Sequence, residues 1–107
     1  MKKLYARMLE ARCPMGEADL DRMVPVLQDE IVAYARREPG CRQIHFFADR
    51  DSGRVFSITI FETAEDLERA MAISDSEFRF RTLAGLGCTA VAATALDVIA
   101  GAGEPPG

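Results

Sequence analysis

His45 is the only histidine in the chain, and so the only side chain here whose ordinary pKa, about 6.5, brings a charge change near neutral pH. As a functional group it would move a proton or contact a ligand. Tyr34 could aim a phenolic hydroxyl at a ligand oxygen, and Arg7 could hold an oxyanion with its fixed positive charge. A base, a hydroxyl donor and a cation together suit chemistry that draws a proton from an acidic ligand and steadies the anion that forms. Phe46, Phe56, Met71, Phe78 and Phe80 could wall an apolar pocket around such a ligand, because small-molecule sites are mostly apolar with few polar groups. Each residue also has a structural role to play instead. His45 suits a strand residue at a protein contact. Tyr34 suits a core residue with its hydroxyl at the rim. Arg7 suits a partner for a carboxylate, and the aromatic set suits ordinary core.

Other site chemistries have no footing. The sequence contains no glycine-rich phosphate loop, no paired-carboxylate spacing and no Gly-x-Ser-x-Gly elbow. Cys13, Cys41 and Cys88 are odd in number and widely spaced, with no C-x-x-C pair. With one histidine they cannot complete a common zinc set, so no metal site is expected. They read as small buried hydrophobes, with a reactive thiol as the alternative. Arg69, Arg79 and Arg81 read as a solvated helix face.

The whole chain has 107 residues, 49 % hydrophobic and 28 % charged, with a formal net charge of -4. That is the size and composition of one globular domain, over residues 1–100, able to bury a core without staples. The Gly/Pro-rich stretch 101–107 reads as a disordered tail. Seventeen acidic against thirteen basic residues leave no basic footprint for nucleic acid. No apolar run is long enough for a membrane span. The start lacks the apolar core of a signal peptide, which predicts a cytoplasmic protein.

Residues 3–11 read as a strand, with Leu4, Ala6 and Met8 on one face and Tyr5 and Arg7 on the other. From about Glu17 to Arg37, Leu20, Met23, Val24, Leu27, Ile31, Tyr34 and Ala35 recur at helical steps. Pro25 should kink that helix or restart it. Pro39 should end it by pushing Glu38 out of the helical region, and Gly40 can take the left-handed turn. Residues 41–49 and 54–62 form a hairpin around Arg50-Asp51-Ser52-Gly53. Thr63 caps a second helix, with Asp66 at its third position and Leu67, Ala70 and Met71 inward. Ser74-Asp75-Ser76-Glu77 restarts it, with Phe78, Phe80, Leu83 and Leu86 apolar, and Gly85 and Gly87 end it. Residues 88–100 read as a last strand.

Strand, helix, strand, strand, helix, strand is the ferredoxin-like α+β order, a four-stranded antiparallel sheet with both helices on one face. Ile44, Phe46 and Ala48 with Phe56, Ile58 and Ile60 are expected under the helices. Phe47, Val55 and Phe61, with Gln43, His45, Ser57 and Thr59, are expected on the other face. That face is too apolar to leave in water, and a second copy across a two-fold axis is the simplest cover. Two protomers would then close into a dimeric α/β barrel.

Three features carry a family likeness: Arg37-Glu38-Pro39-Gly40-Cys41 after the first helix, a hairpin with an Asp/Gly turn, and a strand running straight into a helix at Phe61-Glu62-Thr63-Ala64-Glu65-Asp66-Leu67. Over about residues 3–100 the chain resembles the antibiotic biosynthesis monooxygenase-like family of dimeric α/β barrels. The resemblance implies a homodimer with a small pocket between sheet and helices in each subunit. Many members oxidise aromatic or quinol-like compounds there with molecular oxygen and no cofactor, while others degrade haem. Thr59, Phe61 and Ala70 stand where members often carry Glu, Trp and His, and the chain has neither Trp nor Asn.

Two functions follow as expectations. One is a cofactor-independent oxygenase acting on a small aromatic or quinol-type compound, with His45 as base and Tyr34 or Arg7 orienting. The other is a non-catalytic dimeric module that binds a small apolar ligand or a partner. A ferredoxin-like RNA-binding domain would need basic residues flanking sheet aromatics, and the acidic chain lacks them.

Overall fold

The computed structural model describes residues 3–72 and 81–101. The chain begins with strand β1, Leu4–Arg12. Pro14 and Gly16 then turn it into helix α1, Glu17–Val26. The Asp19 carboxylate caps the start by accepting the Gly16 N–H at 3.1 Å. The chain stays helical through Pro25. The next stretch, Leu27–Val32, widens to π-helical turns, and α2, Ala33–Ala35, finishes it. A proline lacks the N–H for its own helical bond and crowds the carbonyl one turn back. Here the Leu27 N–H is shared between the Met23 and Val24 carbonyls, and the wider turns follow at once.

The helix stops where Pro39 requires, with Gly40 at φ +74°. A Cβ on Gly40 would overlap the Asp66 carboxylate, so glycine answers both the backbone and the close approach. Strands β2, Cys41–Asp49, and β3, Arg54–Phe61, form the hairpin. Its glycine, Gly53, has φ +75°, and its N–H reaches the Asp49 carbonyl at 2.9 Å. Helix α3, Ala64–Ala72, is capped by the Thr63 hydroxyl, which accepts the Asp66 N–H at 3.1 Å. Residues 81–85 are helical and end at Gly87. The Cys88 N–H returns to the Leu83 carbonyl at 2.9 Å, and the Gly87 N–H to that of Ala84 at 2.9 Å. Strand β4, Thr89–Val98, follows. The Ser74–Glu77 capping box, Phe78 and Phe80, and all of the expected tail beyond Gly101 lie outside the described residues.

The sheet order is β2-β3-β1-β4, antiparallel throughout, which is the ferredoxin-like arrangement. Its register fixes the faces. Ala11 and Val55 pair, and both pack with Met23, Leu27, Ile31, Leu83 and Leu86 in the main core. Phe61 packs with Leu67 and Ala70 of α3. By alternation the helix side holds Tyr5, Arg7, Leu9 and Ala11 of β1, Val55, Ser57, Thr59 and Phe61 of β3, and Ile44 and Phe46 of β2.

This corrects the expected phase of β3. Phe56, Ile58 and Ile60 face away from the helices, beside Gln43, His45 and Phe47 of β2 and Leu4, Ala6 and Met8 of β1. Both alternating sets of β3 contain large apolar residues, so a one-residue slip exchanges the faces without breaking the pattern. Small Ala11, Ser57 and Thr59 let the helices settle close to the sheet, where the bulkier set would hold them off. Two helix residues also depart from the expected inward stripe: Val24 is 58 % exposed and Met71 36 %.

The cysteines bring a second correction. Cys13 and Cys88 are buried as expected of small hydrophobes, but they are joined as a disulfide with Cα atoms 4.2 Å apart. Arg12 pairs with Thr89 across β1 and β4, so positions 13 and 88 meet just beyond the end of that ladder. Cys41 is the free thiol. No helix among the described residues is long and apolar enough to cross a membrane.

Candidate active site

Arg7 lies in the middle of β1, on the helix side, and is 2 % exposed. A buried guanidinium requires a partner, and the Glu-Pro-Gly-Cys turn supplies it. Arg7 Nη2 donates to Glu38 Oε1 at 2.9 Å and Nη1 to Glu38 Oε2 at 3.2 Å. Nη1 also donates to the Ala70 carbonyl at 3.2 Å. The guanidinium carbon stands 5.4 Å from the centre of the Phe61 ring. Both side chains of the pair are nearly inaccessible, 3 % and 8 %. The turn motif is thus an anchoring device: Glu38 binds Arg7, and Gly40 receives Asp66 of α3.

Around this pair the helix side of the sheet carries a polar file. Thr59 pairs with Arg7 across β1 and β3 and is fully buried, and Ser57 pairs with Leu9 one rung on. Among the described residues, Arg7 Nε and Thr59 Oγ1 are buried atoms with no hydrogen-bond partner. Beside Ser57 lies a hollow of about 10 Å³, walled by Leu9, Ala11, Ile31, Phe46, Val55 and Leu83. Cys41 adjoins the ion pair. Burial first, and then the Glu38 carboxylate, push its thiol above the ordinary value, so it is a poor nucleophile.

The other sequence candidates scatter around this centre. His45 is exposed on β2, its Nε2 3.2 Å from Gln43 Oε1. It alternates with Ile44, the residue in register with Thr59, so His45 and Arg7 lie on opposite faces of the sheet. Tyr34 is half-buried in α2. Phe46 packs against the core and lines the hollow. Phe56 lies on the open face under the Arg54 guanidinium, 4.7 Å from its ring centre, so register keeps it from walling a pocket beneath the helices. Met71 is exposed on α3. The structure therefore brings Arg7 and Phe46 to the helix side and separates His45, Phe56 and Met71 from them. Open grooves of about 560 and 450 Å³ run between β2 and the first helix, along Val32, Ile44 and His45. Among the described residues no three His, Cys, Asp or Glu side chains gather as metal ligands.

Sequence reasoning passed over Glu38, Ser57 and Thr59 as site residues. Glu38 had a signal, since it stands in the turn motif. Ser57 and Thr59 are polar residues expected on the mixed face of the hairpin, and the phase of β3 instead puts them under the helices.

No protein-family model and no curated protein matches the sequence. The solved structures do match. A monooxygenase from Streptomyces coelicolor, ActVA-Orf6, solved with the ligand Nanaomycin D, superimposes with a TM-score of 0.63 at 15 % identity, over 96 % of this chain and 92 % of that one. An antibiotic biosynthesis monooxygenase homologue from Deinococcus radiodurans gives 0.57 at 17 %, over 98 % and 96 %. The fold is that of the antibiotic biosynthesis monooxygenases. SnoaB, a cofactor-independent oxygenase from Streptomyces nogalater, has it too, with a TM-score of 0.58 at 13 % identity over 99 % of this chain and all of that one. Identities this low speak for an antibiotic biosynthesis monooxygenase fold and leave the chemistry to the residues.

Proposed function

We propose that the protein is a monooxygenase that oxidises a small aromatic or quinol-type compound with molecular oxygen and no bound cofactor, as a homodimer. The observation that carries the reading is the Arg7–Glu38 pair with Thr59, a buried polar cluster among apolar side chains on the helix side of a monooxygenase-type fold. An acidic C–H or O–H compound ionises most readily in a dry chamber that already holds a charge to receive the anion. Arg7 holds that anion. The Glu38 carboxylate is the proton acceptor in contact with it, since His45 lies across the sheet. For an anthrone-type substrate the step balances as one ring methylene and one molecule of oxygen giving one ketone and one water. The carbanion gives up its electrons to oxygen, a hydroperoxide forms at that carbon, and water leaves as the second C–H bond breaks.

The dimer rests on the open face. Leu4, Ala6, Met8, Phe56, Ile58 and Ile60 share it with Phe47, which is 51 % exposed, and Leu96, 38 % exposed. A patch of that composition calls for a partner, and a second copy covers both patches at once.

A non-catalytic binding module is the second reading, favoured by one observation: the hollow beneath the helices holds about 10 Å³, room for one water rather than a ring. Oxygen uptake with 1,8-dihydroxyanthrone decides between them. One oxygen molecule consumed per anthraquinone formed, well above the protein-free rate, supports the oxygenase. Binding without uptake leaves the module. Size-exclusion chromatography with light scattering tests the dimer: wild type should elute as a pair and Ile58→Asp as single chains.

A further inference from the structure

We infer that the open groove between β2 and the first helix binds a free long-chain carboxylate, with its head on Arg36 and its chain laid toward Val24. The first helix presents two neighbouring ridges at four-residue steps. Met23, Leu27, Ile31 and Ala35 form one, and it is buried in the core. Val24, Gln28, Val32 and Arg36 form the next, and all four line the groove. Val24 is 58 % exposed there. Opposite this ridge β2 runs the other way, with Phe46 at the Val24 end and Arg42 and Gln43 at the Arg36 end. Val32, Ile44 and His45 border both hollows, of about 560 and 450 Å³, so the two form one trough. Each is within the size range of small-molecule sites. Val24 and Arg36 are 12 positions apart, which along a helix is about 18 Å. That length suits an extended chain better than a compact ring.

Charge sets the head group. The chain carries a net charge of -4, yet among the described residues no Asp or Glu lines either hollow. Arg36 is exposed and makes no ion pair among the described residues. Arg42 beside it donates from Nη1 to Glu62 Oε1 at 3.4 Å, which leaves its other N–H groups for a ligand. The Arg36 end therefore offers positive charge and several donors, while Val24, Leu27, Val32 and Phe46 make the far end apolar. A guanidinium binds a carboxylate through two parallel hydrogen bonds, and an apolar chain covers the exposed ridge. An anionic head on a linear apolar chain matches both ends at once.

The test is equilibrium dialysis of the full chain against radiolabelled dodecanoate and radiolabelled dodecanol, which share a chain and differ in charge. Wild type should bind dodecanoate about fivefold more tightly than dodecanol, the weight of one exposed ion pair. Arg36→Met keeps a long apolar side chain and removes the cation. It should erase that preference and leave dodecanol affinity as it was. Val24→Ser changes a side chain that is already mostly exposed, so the fold does not depend on it. It should weaken both ligands about fourfold, the worth of one buried methylene. Equal dodecanoate binding by wild type and both variants puts the chain elsewhere and overturns the proposal. Failure of wild type to bind dodecanoate overturns it outright. Light scattering of Val24→Ser covers the remaining occupant: single chains where wild type is paired would give the groove to a second copy and overturn the carboxylate.

Discussion

Replacing Glu38 with glutamine removes one charge from a nearly inaccessible pair and changes almost no volume. In the native protein the Arg7 and Glu38 side chains are 3 % and 8 % exposed, with contacts at 2.9 and 3.2 Å. Glu38→Gln leaves the Arg7 cation in place with neutral acceptors only, the new amide oxygen and the Ala70 carbonyl. Removing one partner of a buried pair costs about 3–5 kcal/mol, mostly the desolvation of the charge left behind. The retained acceptor puts the expected loss near the lower end, about 3 kcal/mol. For a chain of this length that lowers Tm by roughly 13 °C, a large part of a total stability of about 5–15 kcal/mol. The assay is urea unfolding followed by circular dichroism, at one protein concentration because association feeds into apparent stability. The companion variant, Arg7→Met with Glu38→Leu, removes both charges and should be less destabilised than Glu38→Gln alone. A loss under about 1 kcal/mol for Glu38→Gln would mean that the pair behaves as a solvated surface bridge and would refute the burial argument.

Reduction of Cys13–Cys88, or the double change to serine, opens a loop closed over 75 residues; chain entropy alone predicts a loss of about 4 kcal/mol, read as a lower urea midpoint in dithiothreitol. Gly40→Ala should cost about 1–3 kcal/mol from its φ of +74° and more from the overlap with Asp66, so Gly40→Ala with Asp66→Ala should recover part of the loss. The Asp49 carboxyl is held below the ordinary 3.8 first by the Ser52 hydroxyl and then by backbone N–H groups. Its contribution to stability is therefore complete above pH 3.8 and fades as pH falls through the lower folded value. Carbon-detected NMR should place the Asp49 midpoint below 3.8, and Ser52→Ala should move it back up.

Much of the fold is legible where local chemistry is unambiguous. Thr63 and Asp66 announce the start of α3, Pro39-Gly40 the end of the first helix, and Gly53 the hairpin. Each rests on a backbone requirement that few residues meet. The face assignment of β3 is illegible for the opposite reason: Val55 and Phe61 match Phe56 and Ile60 in kind, and only the partner strand's register separates them. The Cys13–Cys88 bond is hidden in the same way, since it depends on how β4 aligns with β1 rather than on any spacing along the chain. The candidate site was half legible. Arg7 drew attention through its charge. Its true neighbours Glu38, Thr59 and Ala70 come from three other segments, and sequence proximity points to none of them.

The contacts of Arg7 also bear on how the molecule opens. One guanidinium ties β1 to a turn 31 residues along and to a helix carbonyl 63 residues along. That turn in turn seats Asp66 of α3 against Gly40. Helix α3 therefore shares one set of bonds with the Glu38 turn and should exchange its amide hydrogens with it as a single cooperative unit, separate from the Met23–Leu27–Ile31 core. During folding these links close only after the long intervening loops have been paid for in entropy. The Glu38 turn and α3 would then be the last parts to dock and the first to lift away, so the same bonds that complete the fold also form its hinge.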